Sequence, residues 1–428
     1  MKPLLSMLFI LLLTPGCGRT PDQAQSKYDS YHSLALTGTI QQGWIKTTAT
    51  ADPDIKSEIF GQLRYAIGQL NGLDSVGDHA NSLAKSMTIT DKKALPGGAF
   101  LVSYSAKMTI SWSRGLRIPG VISLILPESV NASFGMPQKY FDRYAVPACL
   151  DAAAHSLSSG NFWYYIRPYQ KRCSLGRGQM SGDLTARVPM RLAISPINTE
   201  GQSPEYQKFW EDGRLIVTAA FSTYAPTNDA SDFGVRQYGA FYNNMVATFG
   251  RPTYSSVDIP GNGPGLGQPS IQLEFKSSQG PIQLHMYLVE GLTGNGAVFD
   301  RQFSDATLTS DIIMYHGHAG LGSNVRGLAQ KIRAQKDQYH LIMINSCDTF
   351  AYIDDTLMLT HKTANPDAPD YKFVDIITNA MPSSFGAMAD AAMVIMRSAV
   401  TMDQTYRQLL SRLDGNQHAS VMGEEDND

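Results

Sequence analysis

Two kinds of hydrophobic pattern divide the chain. Up to about residue 195, apolar and polar positions alternate in runs such as SLALTGTI, AFLVSYSAKMTISW and GVISLIL, the period of strands with one buried face. FWYYIRPY reads as a further, aromatic-rich strand. Among them Asp52-Pro53 opens a helix in which Ile55, Ile59, Leu63, Ala66, Ile67 and Leu70 recur at helical spacing, and Asn71-Gly72 closes it. The pattern predicts an α+β domain over residues 30–195.

Beyond Gly213 the strand-like runs become mostly apolar: RLIVTAAFS, DIIMY, HLIMI and FVDIIT, with IQLEF and IQLHMYLV between the first two. Such runs belong to strands buried on both faces. Helical segments alternate with them. Asp232 caps a helix carrying Tyr238, Phe241, Tyr242, Met245 and Phe249 on one face, ended by Gly250-Arg251-Pro252. A second holds Val325, Leu328, Ala329 and Ile332, a third runs from Ser384 to about Val400, and Thr401-Met402-Asp403-Gln404 has the form of a capping box before a last one. The fold class is therefore α/β: a mainly parallel sheet with helices on both faces over 205–415, preceded by the smaller α+β domain, with 416–428 as a disordered tail. PGNGPGLGQPS lacks the lysine and hydroxyl residue of a phosphate-binding loop and reads as a flexible connection. Asp74, Asp78 and His79 read as solvated residues after a helix rather than as metal ligands.

The start of the chain has a separate logic. One positive charge precedes the apolar stretch Leu4 to Leu13, too short to span a bilayer, so 1–17 reads as an export signal. Thr14-Pro15-Gly16-Cys17 resembles the lipobox of bacterial lipoproteins, with Leu13 one place earlier than the usual leucine. Residues 18–30 are polar and read as a tether, and the resemblance implies lipid on Cys17 and a place in the cell envelope, at the outer membrane or cell surface if the cell is Gram-negative.

Charge narrows the partners. Lysine plus arginine number 35 against 38 acidic residues, and no basic excess points to nucleic acid. Export makes the four cysteines informative. With Cys17 lipidated, Cys149 and Cys173 are the natural disulfide, and Cys347 is left as a free thiol.

That thiol ends the run HLIMINSC, and the preceding buried run, DIIMYHG, ends on His316. In a parallel sheet the carboxyl ends of strands carry functional residues. A single crossover helix between the two runs makes them neighbours. A thiol needs a nearby imidazole to become a useful nucleophile near neutral pH, and the same imidazole can protonate a leaving amine. Glycine after the histidine lets a carbonyl approach closely, with the amides of Gly317 and Cys347 as oxyanion donors.

The order hydrophobic strand, His-Gly, helix, hydrophobic strand, Cys resembles the caspase-like cysteine peptidases, the group of caspases, metacaspases, gingipains, legumains and bacterial CHAT domains. The resemblance covers about 205 to 415, its specific part being IIMYHG and LIMINSC. It implies a general acid/base at His316, a nucleophile at Cys347, an oxyanion glycine at Gly317, and a peptide or protein substrate. His318 matches no catalytic position. Metacaspases carry Asp where Asn345 stands, so a preference for basic side chains does not transfer; Asp348, Asp354 or Asp355 would have to supply that charge. The segment Asp354 to Tyr371 is the expected specificity or cleavage loop. Two other readings stand beside the peptidase. One keeps the fold without activity, as a protein-binding module on a surface lipoprotein. The other, metal-dependent hydrolysis at His316-Gly317-His318, fails where Gly320 and Leu321 stand in place of an acid and a histidine. No cofactor is implied.

Overall fold

The structure is a computed structural model that describes residues 26–73, 75–78, 86–176, 184–226, 228–413 and 415–423. Cys17, Asp74, His79 and most of the expected tether lie outside the described residues.

Lys27–Asp29 forms β1, and six strands follow: β2 Ser33–Thr47, β3 Ser75–Asp78, β4 Thr88–Ala94, β5 Phe100–Ser113, β6 Val121–Pro127 and β7 Thr185–Ile194. The last six build one antiparallel sheet, ordered β3-β5-β2-β7-β6, with β4 also on β5. The long β2 continues through a register break between Ile40 and Gly43, where a Cβ on Gly43 would sit 2.3 Å from the ring of Tyr104. The predicted helix appears as two, Asp52–Leu63 and Tyr65–Asn71, with the first capped at Ala51, one residue before the expected Asp52. Both helices dock through glutamines. Gln62 Nε2 donates to the carbonyls of Trp44 and Pro127, and Gln69 pairs with both backbone groups of Ile125. These bonds satisfy buried peptide groups that packing alone would leave unpaired.

The second sheet holds β1 with β8 Leu215–Ser222, β9 Tyr254–Ser255, β10 Ser270–Lys276, β11 Pro281–Val289, β12 Ile312–His316, β13 His340–Asn345, β14 Val374–Asn379 and β15 Ala419–Gly423. Its order is β1-β15-β14-β13-β12-β8-β11-β10-β9. The middle strands β14, β13, β12, β8 and β11 run parallel. Both margins are antiparallel, which makes the sheet mixed. Along β12, Ile312 and Met314 face the helices Phe233–Phe249 and Met388–Thr401, while Ile313 and Tyr315 face the helix Ser323–Lys331 and the core of the first sheet. Each such side chain removed from water stabilises the fold by about 1.5–3 kcal/mol, which explains why the runs are mostly apolar.

The structure corrects several expectations. Lys27–Asp29, assigned to the tether, pairs with β15, whose five residues are all buried although 416–428 was expected to fray. The two ends of the described chain thus close one edge of the large sheet. Tyr28 ties that edge to the first sheet: its hydroxyl bonds Ser33 and Ser111, and its ring meets Phe350 edge-on at 5.8 Å. FWYYIRPY is no strand, since Phe162–Tyr165 is one helical turn. The capping box sits four residues later than expected, at Thr405 and Gln408, because Met388–Thr401 runs on to a left-handed Met402. Cys149 and Cys173 are joined as a disulfide.

Candidate active site

Four parallel strands end side by side on polar residues: Ser222 on β8, His316 on β12, Asn345 on β13 and Asn379 on β14. All four are buried, His316 at 0% exposure. Strand register sets Asn345 directly opposite His316 and places Phe221 on its other side. The imidazole lies flat on the Phe221 ring at 4.8 Å.

A directed chain of hydrogen bonds crosses these ends. The carbonyl of Ser346 can only accept, so the Asn379 atom facing it at 3.2 Å is Nδ2. That nitrogen also donates to Asn345 Oδ1 at 2.8 Å, which turns Asn345 Nδ2 toward His316 Nδ1 at 3.2 Å. Nδ1 is therefore an acceptor, and the single proton of the neutral ring resides on Nε2. Burial pushes the imidazole down to about 3, so it stays neutral. Its Nε2 is buried without a hydrogen-bond partner, as are Ser346 Oγ and Asn379 Oδ1. Unsatisfied buried polar atoms are rare in folded chains, and three share this edge.

Cys347 lies two residues past β13, is partly exposed, and is the free cysteine of the described chain. Burial first, and the Asp348 charge second, push its thiol up to about 11, against the backbone amides of Ser383 and of Cys347 itself, which favour the thiolate. At rest the thiol is protonated. The Gly317 amide, expected as an oxyanion donor, instead donates to the Asn345 carbonyl at 3.2 Å. The glycine is needed for a different reason: a Cβ there would lie 2.0 Å from Ser222 Oγ.

The three acids considered for specificity differ in their surroundings. Asp348 is fully buried, accepts from the Tyr164 hydroxyl, and burial raises its carboxyl to about 6. Asp354 accepts from the amide of Thr356 at 2.9 Å, and Asp355 is buried. Their segment is largely a helix, Thr356–Ala364, whose Leu357, Met358 and His361 face inward. His318 Nε2 lies 2.8 Å from the carbonyl of Tyr224, outside the relay.

The single turn Phe162–Tyr165 of the first unit reaches this edge. Tyr164 bonds Asp348, Trp163 meets Tyr352 edge-on at 6.5 Å, and Tyr164, Tyr165 and Tyr352 all lie within electrostatic reach of the Cys347 thiol. Sequence reasoning missed Asn379, although FVDIITN ends on a polar residue as DIIMYH and HLIMIN do. Among the described residues no group of three or more His, Cys, Asp or Glu side chains forms a metal site, and no helix is long and apolar enough to cross a membrane. No protein-family model and no curated protein sequence matches the chain.

Proposed function

We propose that the protein is an exported, lipid-anchored cysteine endopeptidase of caspase-like type, held at rest with both members of its dyad un-ionised. The observation that carries the reading is the partnerless Nε2 of His316, buried on the same strand edge that continues into the unpaired thiol of Cys347. In the reaction, Sγ attacks the peptide carbonyl, its proton passes to His316 and on to the leaving amine, and water then hydrolyses the thioester. To accept at Nε2 the ring must carry its proton on Nδ1, so Asn345 must turn its carbonyl oxygen toward it. Activation is thus a rearrangement of the relay.

A second reading is favoured by a specific observation: full burial of His316 and a thiol raised to about 11 suit a non-catalytic, protein-binding module equally well. A mixed peptide library separates the two. The peptidase cleaves it, and Cys347→Ala, folded to the same stability, does not. No cleavage by the wild type, or equal cleavage by Cys347→Ala, leaves the binding module.

A further inference from the structure

Beside the buried relay lies a set of aromatic rings that the chemistry above does not use. Tyr224 follows β8, His318 follows β12, Phe385 follows β14, and Phe233 opens the helix Phe233–Phe249. Tyr224 is 54% exposed and Phe233 50%. Tyr224 meets Phe385 edge-on at 5.1 Å, Phe233 at 5.9 Å and His318 at 5.7 Å, and His318 meets Phe385 at 4.7 Å. Large aromatic rings clustered on the outside mark binding surfaces more often than chance exposure does.

Position gives the cluster its meaning. In chain order the sheet grows from β8 toward β11 on one side and then returns to place β12 on the other, so β8 and β12 flank the point where strand order reverses. Ligands of open α/β sheets bind in the crevice above that point. Tyr224 and His318 are the residues just past those two strands. The loop bearing Phe385 also brings the amide of Ser383 to the Cys347 sulfur. Two of the loops that carry the rings, those after β12 and β14, are therefore the loops that adjoin His316 and Cys347.

Charge selects the occupant. The carboxylate closest in sequence, Asp232, is filled by the amides of Tyr224, Ala225, Gly234 and Val235. The guanidinium of Arg236 already lies over Phe233, 4.5 Å from its centroid. The Arg236 charge over Phe233 would repel a second cation there.

We infer that the rings of Tyr224, Phe233 and Phe385, with His318, form a subsite for an aromatic or large aliphatic side chain of a bound peptide. The inference rests on the peptide-binding reading of this site, and its test is independent of cleavage. Full-length Cys347→Ala protein is titrated with dye-labelled peptides Ac-Ala-Ala-X-Ala-Ala-amide, X being Phe, Leu, Ala, Lys or Asp, by fluorescence anisotropy. Phe and Leu peptides bind about tenfold tighter than the Ala peptide, as burial of one such side chain gives, while Lys and Asp gain nothing. Tyr224→Ala and Phe385→Ala, each checked for unchanged unfolding, reduce that preference to about twofold or less, most of the ring contact being lost. Absence of binding, a preference for Lys or Asp, or a Phe preference untouched by both substitutions overturns the subsite. An intact Phe preference in a protein whose wild type cleaves nothing overturns the peptidase reading alone.

Discussion

The two ends of strand β12 hold half-buried or buried ionisable groups in different arrangements. At its amino end, Asp311 accepts from the amide of Ile216 at 2.7 Å, Ser310 bonds Thr218, and neighbouring His340 is bonded to His361 at 2.9 Å. These groups pair locally, with His340 Nε2 left without a partner. At its carboxyl end the Asn379, Asn345, His316 chain runs in one direction and stops at an Nε2 with no partner, and the free thiol of Cys347 lies two residues past the neighbouring strand β13. A partnerless imidazole nitrogen stands at each end, so what sets the carboxyl end apart is that its Nε2 terminates a directed chain of amides, at the edge where parallel sheets place their chemistry.

The sharpest way to break the contrast is to cut the relay at its centre. Asn345→Leu strands His316 Nδ1 and removes one acceptor of Asn379 in a dry environment, and unpartnered buried polar groups cost roughly 1–3 kcal/mol each. A loss of about 3 kcal/mol in urea unfolding at neutral pH is the expected result. A loss under about 0.5 kcal/mol, the range of an ordinary surface change, would mean the relay is not formed.

Titration separates His316 from Asp311 by sign. His316 has a folded value near 3, below that of an unfolded histidine, so the unfolded chain binds the extra proton and stability falls as pH drops from the ordinary histidine value toward 3. Asp311, raised to about 8 chiefly by burial, behaves oppositely: its contribution is full below the ordinary carboxylate value and is lost as pH rises toward 8. Each slope is at most about 1.4 kcal/mol per pH unit. Relative to wild type, His316→Gln therefore gains stability on acidification between pH 6 and 4.5, and Asp311→Asn gains it on alkalinisation between pH 5 and 7.5. Parallel shifts in both variants would remove the distinction. The smallest effect belongs to the covering turn. Tyr164→Phe removes the hydroxyl donated to Asp348 and costs about 1 kcal/mol, read from the same unfolding curves.

The parallel strands were legible because their runs are mostly apolar on both faces, and so was the Asp232 cap, whose side chain accepts from the amides of Gly234 and Val235. The placement of His316 at the end of one run, and of Cys347 just past the next, followed from run length alone. What the sequence hid depends on distant partners. Three residues at Lys27–Asp29 and five at Ala419–Gly423 are too short to show a period, and their burial comes from pairing with each other across the whole chain. The run TMDQTYRQ offers two consecutive capping-box patterns, and the reach of the preceding helix chooses the second. Likewise Asp348 reads as a loop acid until Tyr164, 184 residues earlier, is seen to cover it. The direction of the relay needs the Ser346 carbonyl, which no side-chain pattern displays.

The central claim is that the open end of β12 assembles into a thiol site when a peptide occupies it. Covalent labelling of Cys347 by a peptidyl acyloxymethyl ketone bearing a phenylalanine side chain tests this directly, followed by intact-protein mass spectrometry beside iodoacetamide as the simple thiol reagent. Because the resting thiol is protonated, iodoacetamide should react slowly with wild type and His316→Ala alike. The ketone should label wild type stoichiometrically at Cys347 and fail on His316→Ala. No ketone adduct in the wild type, or equal labelling of the two proteins, would contradict the account.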